Sequence, residues 1–547
     1  MSSPYGQQPY GQQPYGYGQP QMPMPNQYGQ PYGQQPPYGY GQPPTGKPHE
    51  VDMTNVNVSN NTKPIDDFKK SKIEFNEKPK YQDVWATLLY LLTLGVTIVL
   101  GVIGIPHINM NNMYSTNDIK KTNGSYSSTS SGYNNHHYGN GYYKRSASGK
   151  SFTDIVIMIG ASLGAAALMT LLYMTLVQKF TGKMIKGTFI ISIIMNFVYA
   201  GIALVFKSFI LGIIMIIGAF LYMLCYFFWR KRIPFAKVML KTVTTVTKKF
   251  PATIFVGFLG CVVAALWYGF IALTLVGAIT YIRTEINEGA AYVAYVFLIF
   301  SFFFTSQVIN NFVHVTISGV FATYYFRGVN EPGTNKIEVD VRNPTLKSFN
   351  RAATTSFGSI CFGSLLIALV STLRVLANQA KQEAAEDENY LLCLIACCVE
   401  CILSCIEDGI EYFNIYAFTE VAIYGKPYCQ AAKDTWTLCK ARGIEALIND
   451  NIIGNVLSIG ALAVGFLSVI VTFAVGLFIG IKDAAALSIY GVIAFLIGCM
   501  VFSVVAQVIN SGVATTFVCL CEDPDALRQT KPELWEKVRD TYPSIVY

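Results

Sequence analysis

Residues 397–420 read CCVECILSCIEDGIEYFNIYAFTE. The stretch has the apolar content of a membrane-crossing helix, yet it carries Glu400, Glu407, Asp408, Glu411 and Glu420. One carboxylate at bilayer depth costs at least about 2.5 kcal/mol, so such a helix needs a cavity or partners beside it. What solvent surrounds it is answered by the rest of the chain.

Of 547 residues, 52% are hydrophobic and 13% charged, the latter about half the charged share of a soluble protein. Apolar runs of roughly 20 residues or more, enough to cross a bilayer, recur at about 85–105, 153–177, 187–206, 208–228, 252–279, 290–326, 355–378, 391–424, 452–481 and 485–521. The pattern predicts an all-α polytopic membrane protein with about ten transmembrane helices, and the lipid bilayer as its first partner. A soluble fold is excluded. The sixth, eighth and tenth runs are about 50 Å long as continuous helices, against a hydrocarbon core of about 30 Å. They are expected to tilt, break or project beyond it.

Residues 1–84 differ in kind. MSSPYGQQPYGQQPYGYGQP and its continuation repeat Tyr-Gly-Gln and Gln-Pro with almost no aliphatic residue, the composition of a disordered tail. It reads either as a solubilising tail or as one that binds protein partners through its tyrosines. The first apolar run begins near Trp85, too late for a signal peptide, so the first span is expected to act as its own signal.

Lys and Arg give the orientation. Lys69, Lys70, Lys72, Lys78 and Lys80 precede the first run, and clusters follow the second, fourth, sixth and eighth, while the alternate loops hold few cations. The positive-inside rule puts both termini in the cytoplasm, including a C-terminal tail at 526–547. The outer loop 106–152 departs from this with five cations, but its Ser, Asn, Tyr and Gly content and the sequon Asn123-Gly124-Ser125 mark it as exposed, with Asn123 a glycosylation candidate. His136 and His137 lack neighbouring ligands, so no metal site or cofactor is assigned. The thirteen cysteines avoid the outer loops, which argues against structural disulfides. The segment 229–251, RKRIPFAKVMLKTVTTVTKKF preceded by Trp229, has apolar residues on one helical side and lysines elsewhere. It reads either as a basic amphipathic helix on the inner leaflet or as a plain linker, and not as a nucleic-acid-binding element.

The polar residues inside the runs fall on stripes. At 100° per residue, Glu400, Ser404, Glu407, Glu411 and Asn414 share one face. Gln307, Asn311, His314, Ser318 and Tyr325 share another, and Ser503, Gln507, Asn510 and Ser511 a third. Polar stripes glue membrane helices together, but several carboxylates on one face point to a cavity lined by the sixth, eighth and tenth spans. Glu400 and Glu407 are the carboxylates at membrane depth, with Glu420 at the inner rim.

Three stretches carry a resemblance. EVAIYGKPYCQAAK at 420–433, NNFVHVTISG at 310–319 and SFGSICFGSLL at 356–366 resemble, in order, motifs of the choline transporter-like family, and the tail and short outer loop resemble its fungal branch, the pH-nine-sensitivity group. The resemblance covers about 85–525. It implies ten spans with both termini inside and a multi-pass plasma-membrane transporter of choline or a related organic cation.

A quaternary ammonium donates no hydrogen bonds and is held by aromatic faces with an anion nearby. Trp267, Tyr268, Tyr325 and Tyr416 are candidate cage walls, Glu400 and Glu407 candidate counter-charges, and Asn311 and His314 polar contacts. Glu400 and His314 are the candidate titrating groups if protons drive transport. No HExxH or GxxxxGK[ST] pattern occurs, and an enzyme is not expected. The alternative to a transporter is a membrane organiser that recruits partners through its tail.

Overall fold

The computed structural model describes residues 80–108, 152–230, 232–330, 337–442, 445–481, 484–530 and 532–541. Most of the tail 1–84 and of the outer loop 106–152, with Asn123, His136 and His137, lies outside these residues.

The chain is helical almost throughout. In order it forms α1 (Val84–Gly104), α2 (Phe152–Val205), α3 (Phe209–Trp229), α4 (Ile233–Lys249), α5 (Ala252–Glu285) and α6 (Glu288–Arg327). A two-stranded antiparallel pair, β1 (Gly328–Asn330) and β2 (Ile337–Val339), is followed by α7 (Pro344–Ala353), α8 (Phe357–Glu386) and α9 (Tyr390–Tyr424). Then come α10 (Tyr428–Arg442), α11 (Glu445–Phe478), α12 (Ala484–Glu522), α13 (Pro524–Thr530) and α14 (Pro532–Thr541). Among the described residues nine helices are long and apolar enough to cross a membrane. Their outer faces are what lipid requires: Ile213, Ile214, Ile217, Phe220 and Leu221 on α3, and Leu88, Leu91 and Leu92 on α1, are exposed.

Nine helices stand where ten runs were read because the second and third runs join in α2. Its apolar part, Ile157–Val205, has 49 residues, about 74 Å if straight. It is not straight, since Phe180 leaves the helical region (φ −122°, ψ 31°). Tyr173 Oη donates to Val456 O at 2.7 Å and Ser192 Oγ to Asn455 Oδ1 at 3.1 Å. Residues 173 and 192 would be about 28 Å apart on a straight helix, yet they touch consecutive residues of α11. The bend therefore swings the two arms toward each other, with no loop between them.

The long sixth, eighth and tenth runs are single unbroken helices, α6, α9 and α12, of 40, 35 and 39 residues. Their ends converge. Every residue of 313–322, 416–423 and 511–521 is buried, in a core that also takes in α4. Phe235 of α4 lies 5.7 Å from Phe517 of α12, ring to ring, and Met239, Leu240 and Val243 are fully buried beside it. The apolar face of the basic segment is thus covered by protein, not by lipid, while Lys237, Lys241, Lys248 and Lys249 stay exposed. The C-terminal tail is likewise folded as far as Thr541: Val538 of α14 is fully buried in the same core.

α1 packs on α5 with backbone against backbone. A Cβ at Gly104 would lie 2.3 Å from Ala278 N, and one at Gly277 2.4 Å from Gly104 O. Only glycine permits that approach.

Candidate functional site

Helices α8 and α9 are joined by the short turn Asp387–Asn389 and run antiparallel, so residues on their facing stripes meet two turns apart along each arm. Lys381 pairs with Glu400. Two turns further in, Arg374 Nη1 lies 2.9 Å from Glu407 Oε2, and Ser371 Oγ donates to Glu407 Oε1. Beyond these the stripe turns to α6, where the Gln307 side chain lies beside the Glu411 carboxylate. Asn311 Nδ2 donates to Ser364 Oγ at 2.9 Å, and Asn414 Nδ2 to Gly363 O at 3.2 Å. Gln379 donates to Tyr295 Oη at the other end. A polar seam thus runs down α6, α8 and α9.

It ends on His314. The ring faces Ile415 O through Nε2 at 2.8 Å and Ser511 Oγ through Nδ1 at 2.9 Å. A carbonyl oxygen only accepts, so Nε2 carries a proton, and in the neutral imidazole Nδ1 accepts from the Ser511 hydroxyl, with both nitrogens used. One side chain therefore ties α6, α9 and α12 together, with Thr419 Oγ1 donating to Ile415 O at 3.0 Å beside it. On the Glu288 side of this node Asn310, Glu411, Ser503 and Asn510 are exposed; on the other side all three helices are sealed.

Below the node lies a second polar group. Asp83, held at φ 49°, accepts from Ser359 Oγ at 2.7 Å and from the Tyr428 backbone N–H at 2.8 Å, which fixes the start of α1 against α8 and α10. The Tyr428 hydroxyl donates to Asn414 Oδ1, and burial pushes its pKa up to about 12. Gly425 ends α9 at φ 66°, a left-handed cap that suits glycine. It turns Lys426 back to Glu420 at 3.3 Å and on to Asp434 at 2.8 Å. Burial pulls the Lys426 pKa down, but the hydrogen bonds and charges of Asp434 and Glu420 outweigh it and hold it above its ordinary value.

Of the stripes expected from the sequence, those of α6 and α12 meet through His314 and Ser511. Asn311 and Asn414 turn to Ser364 and Gly363 of α8, so the seam is lined by the sixth, seventh and eighth runs and not by the sixth, eighth and tenth. Glu400 and Glu407 lie in the seam, but each already faces a fixed cation. Tyr416 is buried one residue from Ile415, its hydroxyl 3.1 Å from that of Tyr412. Tyr325 sits in the sealed end, donating to Asp523 O at 3.0 Å. Trp267 is buried on α5 among Phe270, Ile271 and Leu298, and its neighbour Tyr268 is exposed, 5.5 Å from Phe302. The four aromatics do not form one box. Sequence alone does not single out Ser371, Arg374 and Lys381, because the two cations fall near an outer loop, beside an acidic run. Their spacing held the clue: seven residues separate Arg374 from Lys381, and seven separate Glu400 from Glu407.

Among the described residues no group of His, Cys, Asp and Glu is placed to hold a metal ion.

Long apolar helices around a polar seam that is open on one side and sealed on the other define a polytopic, transporter-like membrane protein. The profile of the family described as plasma-membrane choline transporter matches residues 213–525. The chain is 31% identical over 484 residues to Protein PNS1 of Gibberella zeae, covering 86% of this chain and 84% of that one. It is 32% identical to Protein PNS1 of Mycosarcoma maydis, over 86% and 84% of the two chains, and 32% identical to a CTL-like protein of Dictyostelium discoideum, over 88% and 79%. The chain belongs to the choline transporter-like family, a family of transporter-like proteins and not of enzymes.

Proposed function

We propose that the protein carries a small organic cation, choline or a related amine, across the plasma membrane through the seam of α6, α8 and α9, with both of its own termini in the cytoplasm. The observation that carries this reading is the charge pattern of α9. Glu400 has Lys381, Glu407 has Arg374 and Glu420 has Lys426, and Asp408 lies within electrostatic reach of Arg374. Among the described residues Glu411 has no ion-pair partner, with the neutral amide of Gln307 beside it, and it is exposed. A cation entering the seam gains little from a carboxylate that is already neutralised. Beside Glu411 it meets an uncompensated charge, an attraction of about 4 kcal/mol at 4 Å in a partly screened site.

Glu411 thus takes the counter-charge role in place of Glu400 and Glu407, and the sealed node at His314 is the barrier the solute must pass. Equilibrium binding of labelled choline to the purified protein tests this. Glu411→Gln is expected to weaken binding by about tenfold or more, with competition by other small ammonium ions and none by neutral solutes of the same size. Binding unchanged in Glu411→Gln removes the assignment.

A further inference from the structure

Between residues 155 and 284 the chain has twelve Lys and Arg and not one Asp or Glu. The stretch has no acidic residue of its own to neutralise it, and the fold gathers part of it into one patch.

Lys179, Lys183 and Lys186 flank the bend of α2, and Lys237 and Lys241 project from α4; all five are exposed. The two groups adjoin, since the Lys237 side chain lies across Gly182, its Cδ 3.3 Å from where a Cβ on that glycine would be. None of the five has a carboxylate partner among the described residues. The support is rigid. α4 is pinned by Phe235, Ala236, Met239, Leu240 and Val243, all fully buried, so its lysines are held in place and not carried on a loose polybasic tail. The level is also set: Phe180, Phe227 and Phe228 are exposed around the patch, with Lys179 and Lys183 5.6 and 5.8 Å from the Phe180 ring and Arg230 4.3 Å from the Phe227 ring. Exposed apolar rings suit the acyl chains while the neighbouring cations reach the headgroups, which sets the patch at the bilayer surface.

We infer that the patch formed by the α2 bend and α4 is a binding site for the headgroups of anionic phospholipids in the adjoining leaflet. The phosphate oxygens accept hydrogen bonds from the lysine ammonium groups while the acyl chains lie along the exposed faces of α2 and α3. Juxtamembrane lysines attract anionic lipid in just this arrangement. The fixed helix adds a site of defined shape beside the α2 bend, so an occupied patch braces the two arms.

The test uses the full chain in nanodiscs of phosphatidylcholine alone, with phosphatidylserine, or with a phosphatidylinositol phosphate, read by melting temperature and by native mass spectrometry of retained lipid. The wild type is expected to melt higher in the anionic discs and to lose that gain at high salt. The variant Lys179→Gln, Lys183→Gln, Lys237→Gln, Lys241→Gln is expected to lose the gain and to retain anionic lipid about tenfold less or worse. A control that removes four cations elsewhere, Arg342→Gln, Lys347→Gln, Lys433→Gln, Lys440→Gln, is expected to keep it. If the fourfold patch variant does not fold, the pair Lys183→Gln, Lys237→Gln is read in its place. An equal gain in patch variant and wild type overturns the proposal. So does a full gain in phosphatidylcholine discs on adding a soluble inositol phosphate, which would make the ligand a free anion.

Discussion

Arg374 and Glu407 face each other across the α8–α9 hairpin, 2.9 Å apart, with the Glu407 carboxylate nearly buried and the Arg374 side chain reaching toward the surface. The asymmetry sets what each loses alone. Arg374→Met leaves a carboxylate at membrane depth with only Ser371 beside it, and a loss of about 2.5 kcal/mol is expected. Glu407→Leu leaves an arginine that reaches water, so its loss is expected to be under about 1 kcal/mol. The double variant should melt closer to the wild type than Arg374→Met does. Thermal unfolding of the four proteins in one detergent gives the coupling; strictly additive losses would show that the pair does not act as a unit.

The α1–α5 crossing makes a sharper steric test. Gly104→Ala places a methyl carbon 2.3 Å from Ala278 N, against backbone that has no rotamer to yield. A loss of about 1–3 kcal/mol is expected. Gly95, on the same helix, has nothing within 4 Å of its Cβ position, so Gly95→Ala should be neutral or stabilise by up to about 1 kcal/mol through helix propensity. The two melting temperatures should move in opposite directions or differ by several degrees.

Tyr428 predicts an alkaline limit. Its folded pKa, pushed up to about 12 by burial, lies above the unfolded value of about 10. A raised pKa means that stability is fully present below pH 10 and is lost as pH rises through the folded value. The loss reaches roughly 2 kcal/mol by pH 12. Lys426, also raised, acts in the same direction. Melting temperature followed from pH 8 upward should fall more steeply in the wild type than in Tyr428→Phe. Parallel curves would remove Tyr428 as a source of the fall.

Much of the fold can be read from the sequence because lipid imposes one strong pattern. The apolar runs became helices nearly where they stand, and His314 and Ser511 met because helical period places each on the polar stripe of its own helix. The remainder depends on neighbours, which a period does not specify. Phe235 and Met239 make α4 amphipathic whether lipid or Phe517 covers them. Trp267 and Tyr268 are adjacent in sequence, yet one is buried and the other exposed, so aromatic content alone does not mark a cage. The Phe180 bend needs neither proline nor loop, so the two runs it joins read as two spans. Glu411 stands out from Glu400 and Glu407 only once Lys381 and Arg374 are seen to be taken.

The most direct measurement is uptake of labelled choline into liposomes holding the purified protein, for the wild type, Glu411→Gln and Glu400→Gln. The account predicts saturable uptake by the wild type, a loss of about tenfold or more in Glu411→Gln, and a smaller change in Glu400→Gln, provided all three are folded. Uptake retained in Glu411→Gln and abolished in Glu400→Gln would contradict the assignment of the counter-charge. No uptake of choline or any related amine by the folded wild type would contradict the transport reading itself.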